Sequence, residues 1–393
     1  MLELMLIPAA ALLYAAYGDK LKKQMDDKEK IKVFFEVAGI AIKRNDKLQY
    51  PVFQEKKEDD RSITYIYKLP LGMPSKVIGK VEEVVAEGLG KPVRITYNNY
   101  KLYIRVFSRE IPKKWHWSPN LAQSGKWKIP MGQSLEKLVY HDFDKTPHML
   151  VGGLTRMGKT VFMKNLFATL IEANPDHAHF YIIDLKEKGL AFNRYRNMKQ
   201  VKAFADTPAK ALKVFRELKD RIEKQGAFMK ENGYENITET KEKDRFFIII
   251  DEGAVLAPAK GLKREVNSIR EECQYWMSYI ATTAGGLGFR LIFATQYPTV
   301  TAVPSVVKQM ADAKIGFRLT TYKASEVVLD EGGLENLPSI PGRALYKTNQ
   351  LTELQVPYIT NEKMEKICMK YEVMKDELKR PEAEAPTGDS IDD

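Results

Sequence analysis

The sequence is poor in cysteine and histidine. Its 393 residues include two cysteines, Cys273 and Cys368, and five histidines. Two cysteines cannot build a disulfide framework, and the CxxC spacing of structural zinc sites is absent. His177 and His179 form an H-x-H pair, which without a supporting acid or cysteine is more typical of a strand edge than of a metal site. The composition therefore excludes disulfide-rich secreted domains and predicts a reducing cytoplasm for the main body of the chain.

Long hydrophobic runs are also scarce. The uncharged apolar run LMLIPAAALLYAAY, residues 4–17, falls short of the roughly 18 to 20 residues that a spanning helix needs. Glu3 precedes this run and Lys20, Lys22 and Lys23 follow it, which argues against a secretory signal. The same asymmetry favours a membrane anchor with the body at the cytoplasmic face of the cell membrane. An amphipathic or core helix packed on the first domain is the alternative.

Acidic residues are the minority charge. The chain has 62 Lys and Arg against 52 Asp and Glu, a net charge of +10. Residues 376–393 contain seven acids and two bases, so the rest carries about +15 by difference. That bias suits a polyanion such as nucleic acid or an anionic membrane, although solubility alone is a plainer explanation. The 24 glycines and 19 prolines are scattered and 44% of residues are hydrophobic, which excludes collagen-like, fully disordered and polytopic membrane classes.

The length predicts two domains with connecting segments. A charged connector is expected over residues 19–32. Alternating Ile, Tyr and Val predict strands over 61–69 and 100–108, with an amphipathic helix over 75–88 between them. The predicted organisation, in chain order, is a membrane anchor at 1–18, a small α+β domain at 28–110, a linker at 111–127, a RecA-like α/β domain at 128–360, and a C-terminal helix with an acidic tail at 361–393.

From residue 128 onward, apolar runs alternate with long helical segments, as a mainly parallel sheet covered by helices requires. We therefore predict an α/β fold. The predicted strands cover residues 148–152, 179–184, 246–251, 290–295, 314–319 and 343–346. The predicted helices cover residues 159–173, 208–232 and 264–283.

A phosphate-binding loop pattern, two glycines followed by Lys and Thr, occupies residues 153–160 between an apolar strand and a helix. Such a turn exposes backbone N–H groups to phosphates, and the following helix adds its positive dipole end. We predict that Lys159 contacts the β- and γ-phosphates of ATP and that the Thr160 hydroxyl binds Mg²⁺. The predicted nucleotide-binding residues are Gly153, Leu154, Thr155, Arg156, Met157, Gly158, Lys159, Thr160 and Val161.

Two further strands end in polar residues. The apolar run at 246–250 ends in Asp251, predicted to hold the water shell of Mg²⁺, and Glu252, predicted to orient or deprotonate the attacking water. A buried strand that simply ends in a charged turn is the alternative for this pair. The strand ending at Thr295 is followed by Gln296, which we predict to sense the γ-phosphate; a solvated strand edge is the alternative.

Six separated motifs resemble the motor domain of the FtsK/SpoIIIE family of DNA translocases, especially the coupling proteins of Gram-positive conjugative elements. They are PHMLVGG (147–153), IIDLK (182–186), IIIDE (248–252), LIFATQYP (291–298), AKIGFRL (313–319) and LDEGGLENL (329–337). The resemblance covers roughly residues 128–360. It implies a RecA-like core in a hexameric ring that drives DNA with ATP towards a secretion channel, with a relaxase as partner. A segregation motor, a packaging ATPase and a DNA-binding scaffold that recruits a relaxosome are the alternatives.

The chain also departs from the family pattern. Tyr297 stands where family members usually have Arg, and residues 282–286, TTAGG, replace basic residues. The resemblance makes Arg318 the first candidate for an arginine acting on the neighbouring subunit's nucleotide, and Arg343 the second; either fits a structural salt bridge equally well. Only a helix and an acidic tail follow the last strand, so we expect no winged-helix domain.

Overall fold

The computed structural model describes residues 25–73 and 75–373. They form two compact units, which divide between Ile111 and Pro112. The predicted anchor at 1–18 and the acidic tail lie outside the described residues. Within the described part of the chain, no helix combines the length and apolar character needed to cross a membrane.

The first unit is an antiparallel sheet with two helices, as an α+β domain requires. Its four-stranded sheet has the order β3-β4-β6-β5, and β1 and β2 form a separate hairpin. The elements, in chain order, are α1 (Asp27–Val37), β1 (Ile42–Arg44), β2 (Lys47–Gln49), β3 (Val52–Glu58), β4 (Ser62–Lys68), α2 (Ser75–Leu89), β5 (Val93–Asn98) and β6 (Lys101–Phe107).

Helix α1 begins inside the segment that we predicted to be a charged connector. Asp26 accepts a hydrogen bond from the Glu29 backbone N–H at 2.8 Å, and the Glu29 side chain accepts from Asp26 in return, which is a capping box. Ile31, Phe34 and Phe35 of the helix are buried. The connector prediction was wrong beyond residue 26, because the charged residues cap and cover a helix whose other face is apolar.

The second unit contains a ten-stranded sheet of order β11-β10-β12-β13-β9-β14-β15-β16-β7-β8. The first six strands of that order run parallel, and the remaining neighbours are antiparallel. The strands are β7 (Lys128–Gln133), β8 (Leu138–Asp142), β9 (Met149–Gly152), β10 (Ala178–Asp184), β11 (Val201–Ala205), β12 (Arg245–Asp251), β13 (Phe289–Thr295), β14 (Ala313–Phe317), β15 (Arg343–Lys347) and β16 (Leu351–Gln355).

Helices cover both faces of the parallel strands, so these strands are mostly apolar. In β12, Phe247 and Ile249 join the core on one face, and Ile248 and Ile250 join the core on the other. The helices are α3 (Lys159–Ala173), α4 (Pro208–Glu231), α5 (Arg264–Thr283), α6 (Ser305–Met310), α7 (Tyr322–Leu329) and α8 (Asn361–Tyr371).

The segments flanking the predicted α/β domain belong to the same core. Trp117, in the predicted linker, is fully buried and its indole N–H donates to the Thr169 hydroxyl at 2.8 Å. In α8, Met364 and Ile367 are buried in the same cluster. The second unit therefore extends from residue 112 to at least residue 373.

Candidate nucleotide-binding site

The predicted phosphate-binding loop lies between the end of β9 and the start of α3. Gly158 has a φ of 118°, a conformation open to glycine, and α3 begins at the next residue. A Cβ atom on Gly153 would lie 2.7 Å from the Phe317 Cβ, so the loop can pass β14 only with glycine there. This strand-loop-helix arrangement directs a helix N-terminus at the site, which suits a phosphate.

Lys159, Asp251 at the end of β12 and the next residue, Glu252, meet in the interior. The Lys159 ammonium contacts the Asp251 carboxylate and lies 3.6 Å from Glu252 Oε2. All three side chains are nearly buried, with exposures of 3%, 0% and 8% for Lys159, Asp251 and Glu252. The structure thus brings Lys159 of the phosphate-loop motif into contact with two acids of a separate motif, although β13 lies between β9 and β12 in the sheet.

The Glu252 carboxylate is oriented by the end of β13. Its Oε1 accepts from the Thr295 hydroxyl at 3.0 Å and from the Gln296 backbone N–H at 3.1 Å. Glu252 itself has φ 62° and ψ 50°, a left-handed conformation that costs a non-glycine residue of order 1–3 kcal/mol. The strained backbone of Glu252 thus coincides with the position from which its carboxylate accepts these two hydrogen bonds.

Gln296 connects Glu252 with the phosphate loop. Its backbone N–H donates to Glu252, and its side-chain carbonyl oxygen accepts from the Thr155 hydroxyl at 2.6 Å. Gln296 is therefore the only residue between the phosphate loop and the Glu252 carboxylate in this chain of hydrogen bonds. A movement of the loop that breaks the bond from Thr155 would act on Glu252 through Gln296. The sequence identified Gln296 as a candidate. It could not predict the hydrogen bond to Thr155, because the two residues are 141 positions apart in the chain.

The two candidate arginines have different surroundings. The carbonyl oxygen of Arg318 accepts from the Leu154 backbone N–H at 3.2 Å, so its main chain is bonded to this chain's own phosphate loop, while its side chain is half-buried. Arg343 donates to the Glu353 carboxylate at 2.8 Å and to the Gln355 side chain at 3.3 Å. These bonds give Arg343 a structural role between β15 and β16. The action of Arg318 on a neighbouring subunit stays a prediction.

Asp184 is a site residue that the sequence reasoning did not assign. It ends β10 and is paired in register with Asp251. The Asp184 carboxylate is fully buried and accepts from the Phe192 backbone N–H at 2.9 Å. Burial, with a further contribution from the Asp251 charge, raises the pKa of Asp184 to about 6. The signal was present in the sequence, because two apolar strands of one parallel sheet both end in Asp.

Replacing Asp184 with asparagine is expected to change how stability depends on pH. The unfolded carboxyl ionises near its ordinary pKa of 3.8 and the folded one near 6, so wild-type stability falls as pH rises between these values. An amide has no such ionisation. The melting temperature of the variant relative to wild type should therefore rise from pH 4 to pH 6 and stay level above it, as followed by calorimetry. An unchanged difference across this range would contradict a raised pKa.

Thr160 and Asp251 have donor atoms that fit Mg²⁺. The second carboxylate oxygen of Asp251, Oδ2, is buried and has no hydrogen-bond partner among the described residues. Thr160 lines a cavity beside the phosphate loop. Carboxylate and hydroxyl oxygens are the ligands that Mg²⁺ prefers, and it commonly takes one or two from protein and the rest from phosphates and water.

The H-x-H pair lies elsewhere and has an acidic neighbour that the sequence analysis did not anticipate. His177 Nδ1 is 2.8 Å from Asp244 Oδ1, and His179 Nε2 is 3.3 Å from Asp244 Oδ2. Across residues 25–73 and 75–373, no group of three or more His, Cys, Asp or Glu side chains could hold a metal ion.

A cavity of about 440 Å³ adjoins the phosphate loop. Among the residues that the structure describes, five cationic side chains and no acidic one line it. Part of its wall is apolar, so its chemistry suits an anion attached to a flat apolar group. The lining residues are Lys113, Lys114, Leu154, Thr155, Arg156, Gly158, Lys159, Thr160, Val161, Lys186, Gln296, Pro341, Gly342, Gln355, Val356, Pro357 and Tyr358.

Comparison with known families identifies the family to which this chain belongs. The family model described as FtsK/SpoIIIE family matches residues 110–332, more than half of the 393 residues. The chain belongs to the FtsK/SpoIIIE family. Family membership and the observed sheet confirm the predicted resemblance and the predicted fold, a P-loop ATPase with a mainly parallel sheet.

Curated relatives of the FtsK/SpoIIIE chain include two proteins called DNA translocase FtsK. The one from Helicobacter pylori J99 is 28% identical over 240 residues, which is 58% of this chain and 27% of the relative. The one from Streptococcus pneumoniae R6 is 27% identical over 261 residues, or 61% and 32% of the two chains. This chain therefore spans about a quarter to a third of the length of these relatives.

Two solved structures share the fold. The pCW3 conjugation coupling protein TcpA, a monomer form with ATPγS, has a TM-score of 0.64 and 22% identity, covering 88% of this chain and 99% of its own. EssC (ATPases 2 and 3) from Geobacillus thermodenitrificans has a TM-score of 0.55 and 17% identity, covering 67% and 52%. The TcpA likeness includes the regions outside the family match.

Proposed function

We propose that this FtsK/SpoIIIE protein hydrolyses ATP to translocate DNA, as a coupling protein that delivers DNA to a conjugative secretion channel. The buried cluster of Lys159, Asp251 and Glu252, joined to the phosphate loop through Gln296, carries the ATPase part of this proposal. The coupling role is supported by the TcpA likeness, which extends over nearly all of both chains.

In the proposed reaction, the phosphate loop and the N-terminus of α3 bind the triphosphate, and the β- and γ-phosphates compete with Asp251 and Glu252 for the Lys159 ammonium. Glu252, held by Thr295 and the Gln296 backbone, accepts the proton of the attacking water. Thr160 and Asp251 would hold Mg²⁺, which would neutralise part of the phosphate charge when it is bound.

Gln296 is proposed to relay the state of the γ-phosphate. Its side chain is bonded to Thr155 in the loop, and its backbone is bonded to the proposed catalytic base. A movement of the phosphate loop on hydrolysis would therefore change the hydrogen bonds of the segment after β13. The proposed assembly is a hexameric ring, in which Arg318 contributes to the nucleotide site of the neighbouring subunit.

The proposed substrate is DNA, held through its phosphates by the basic body of the chain. The proposed location is the cytoplasmic face of the cell membrane, with a relaxase and secretion-channel proteins as partners. The neighbour EssC shares the fold, but this chain covers only 52% of that structure, against 99% of TcpA. This difference favours a coupling protein over a protein with several ATPase domains of the EssC type.

We expect duplex or single-stranded DNA to stimulate ATP turnover severalfold, with little dependence on sequence. DNA affinity should fall with salt at a log–log slope of about −0.9 per duplex phosphate contacted, or about −0.7 for single strands. The measurements are ATPase rates with no DNA, single strands and unrelated duplexes, and binding at two salt concentrations. DNA that binds without changing ATP turnover would instead support a DNA-binding scaffold. Retention of a relaxase in a pull-down would support a role in conjugative transfer over a role in segregation.

A further inference from the structure

One end of the first unit presents large hydrophobic side chains to solvent. In the described part of this unit, five such side chains are more than half exposed, with values from 51% to 67%. They are Leu48, Val52, Leu71, Tyr97 and Tyr100. Single exposed hydrophobic residues need no explanation, whereas several at one place mark an interaction site.

A row of paired residues crosses all four strands of the sheet at this end. It consists of Val52, Lys68, Lys101 and Asn98. Tyr97 precedes Asn98 on β5. The row therefore marks the end of the sheet where β3 begins, β4 ends and β5 turns into β6.

The loops beyond this row carry the remaining exposed side chains. A tight turn joins β5 to β6, where Asn99 and Tyr100 have φ values of 48° and 58°. The Tyr100 carbonyl oxygen accepts from the Leu69 N–H at 2.8 Å, and Leu71 follows in the segment that leaves β4. Leu48 belongs to the β1–β2 hairpin, which ends three residues before β3 begins. This surface, called the sheet tip below, comprises residues 42–52, 68–72 and 96–101.

The sheet tip is also basic. Its segments contain five Lys and Arg and a single acid, which leaves a net charge of +4. The acid, Asp46, lies 2.9 Å from Lys43 Nζ, but both side chains are mostly exposed, so solvent screens this pair. The basic residues are Lys43, Arg44, Lys47, Lys68 and Lys101.

Acids are concentrated at the opposite end of the first unit, where β3 ends and β4 begins. Lys91 and Arg105 each pair with one of them. The acids that line a small cavity at this end are Asp27, Glu58, Asp59 and Asp60. The first unit therefore has a basic end and an acidic end, and such a distribution turns the basic end towards an anionic surface.

We propose that the sheet tip binds an anionic lipid bilayer. Its Lys and Arg side chains contact the headgroup phosphates, and its exposed Leu, Val and Tyr side chains enter the interfacial layer. Aliphatic side chains gain free energy by leaving water, and tyrosine rings are stable at the level of the headgroups. The inference rests on the proposed location at the cell membrane and not on ATP hydrolysis.

The aliphatic part of the sheet tip favours lipid over DNA. DNA phosphates would attract the same five basic residues, but a phosphate backbone offers no apolar layer to Leu48, Val52 or Leu71. A bilayer with anionic headgroups satisfies both components, because its charge complements the lysines and its interior receives the aliphatic side chains.

Hydrogen exchange of the full chain tests this contact at individual segments. Vesicles of phosphatidylcholine mixed with phosphatidylglycerol should slow exchange of the amides in residues 43–49 and 97–101. Vesicles of phosphatidylcholine alone should slow it far less, because they lack the negative charge that attracts the lysines.

Two double variants separate the basic from the apolar contribution. In Lys68→Gln with Lys101→Gln, the lipid concentration that gives half of the slowing should rise about fivefold per lysine, equivalent to about 1 kcal/mol each. In Leu48→Ser with Leu71→Ser it should rise about tenfold, because two leucines no longer enter the bilayer. The matched controls change exposed residues of the second unit and should have no effect; they are Lys213→Gln with Lys224→Gln, and Leu190→Ser.

Equal exchange of the sheet tip with and without anionic vesicles, or slowing that the lysine variant leaves intact, would overturn the proposal. Slowing by duplex DNA but not by vesicles would also overturn it and would make the sheet tip a nucleic-acid contact. A chain that sediments with membranes while its sheet tip exchanges freely would refute the tip contact and leave the proposed location standing. DNA-stimulated ATP turnover is measured separately, so a failure of the translocase proposal is distinguishable from a failure of this one.

Discussion

Lys159→Ala is expected to abolish ATP turnover and to destabilise the second unit. The first effect follows from removal of the charge that binds the β- and γ-phosphates. The second arises because Asp251 and Glu252, 0% and 8% exposed, lose the ammonium that compensates them. Removing one partner of a buried ion pair costs about 3 to 5 kcal/mol, which lowers the melting temperature by on the order of 10 °C. Turnover assays and calorimetry at pH 7.5 measure the two effects.

A double variant separates these effects. Lys159→Ala with Asp251→Asn removes one of the two uncompensated charges, so the melting temperature should recover in part while turnover stays absent. Lys213→Ala, which removes an exposed lysine of α4, should change neither quantity. Wild-type-like turnover in folded Lys159→Ala would refute the assignment of the phosphate loop.

The parallel part of the fold was predictable because its strands are buried on both faces. Strand β12, with five apolar residues in a row, can be recognised without knowledge of its neighbours. The six predicted strands and three predicted helices of the second unit are present to within two residues of their expected ends. Strong local signals, a glycine loop before a helix and β-branched runs, determine these elements.

Strands β7, β8, β11 and β16 were not predicted, and β7 shows a physical reason. Strand β7 contains Pro130 and Gly132, residues that ordinarily argue against a strand, and its pairing with β8 has an irregular register between them. A Cβ on Gly132 would lie 2.5 Å from the Gln355 carbonyl oxygen, so the glycine is required by the close approach of β16. Only the tertiary neighbour explains this residue.

The same division holds for the site. Lys159, Asp251 and Gln296 lie in contiguous motifs and were predicted from them. Asp184 enters through the register of β10 with β12, and Tyr358 enters through its backbone bonds to residues 115 and 117, which lie about 240 positions earlier in the chain. The sequence shows an Asp at the end of the β10 run, but the strand that pairs with β10 and the backbone that Tyr358 contacts are set by sheet pairing and loop contacts.

Glu252→Gln is expected to retain nucleotide binding and to slow hydrolysis by about 10² to 10⁴-fold, the usual contribution of a positioned general base. Glutamine has nearly the same shape, and its one carbonyl oxygen still accepts from Gln296 or Thr295, which both donate to Oε1 of the wild-type carboxylate. An amide cannot accept the proton of the attacking water. Single-turnover hydrolysis and ATPγS titration measure the two properties.

The position of Glu252 beside Lys159 makes the binding measurement decisive. Because the variant removes a negative charge 3.6 Å from the Lys159 ammonium, the lysine is more available to phosphates, and nucleotide affinity should be equal to wild type or higher. Glu231→Gln, a change at the exposed end of α4, should alter neither affinity nor rate. A loss of affinity with hydrolysis unchanged would instead make Glu252 a structural or metal-binding acid and leave the activation of water to another group.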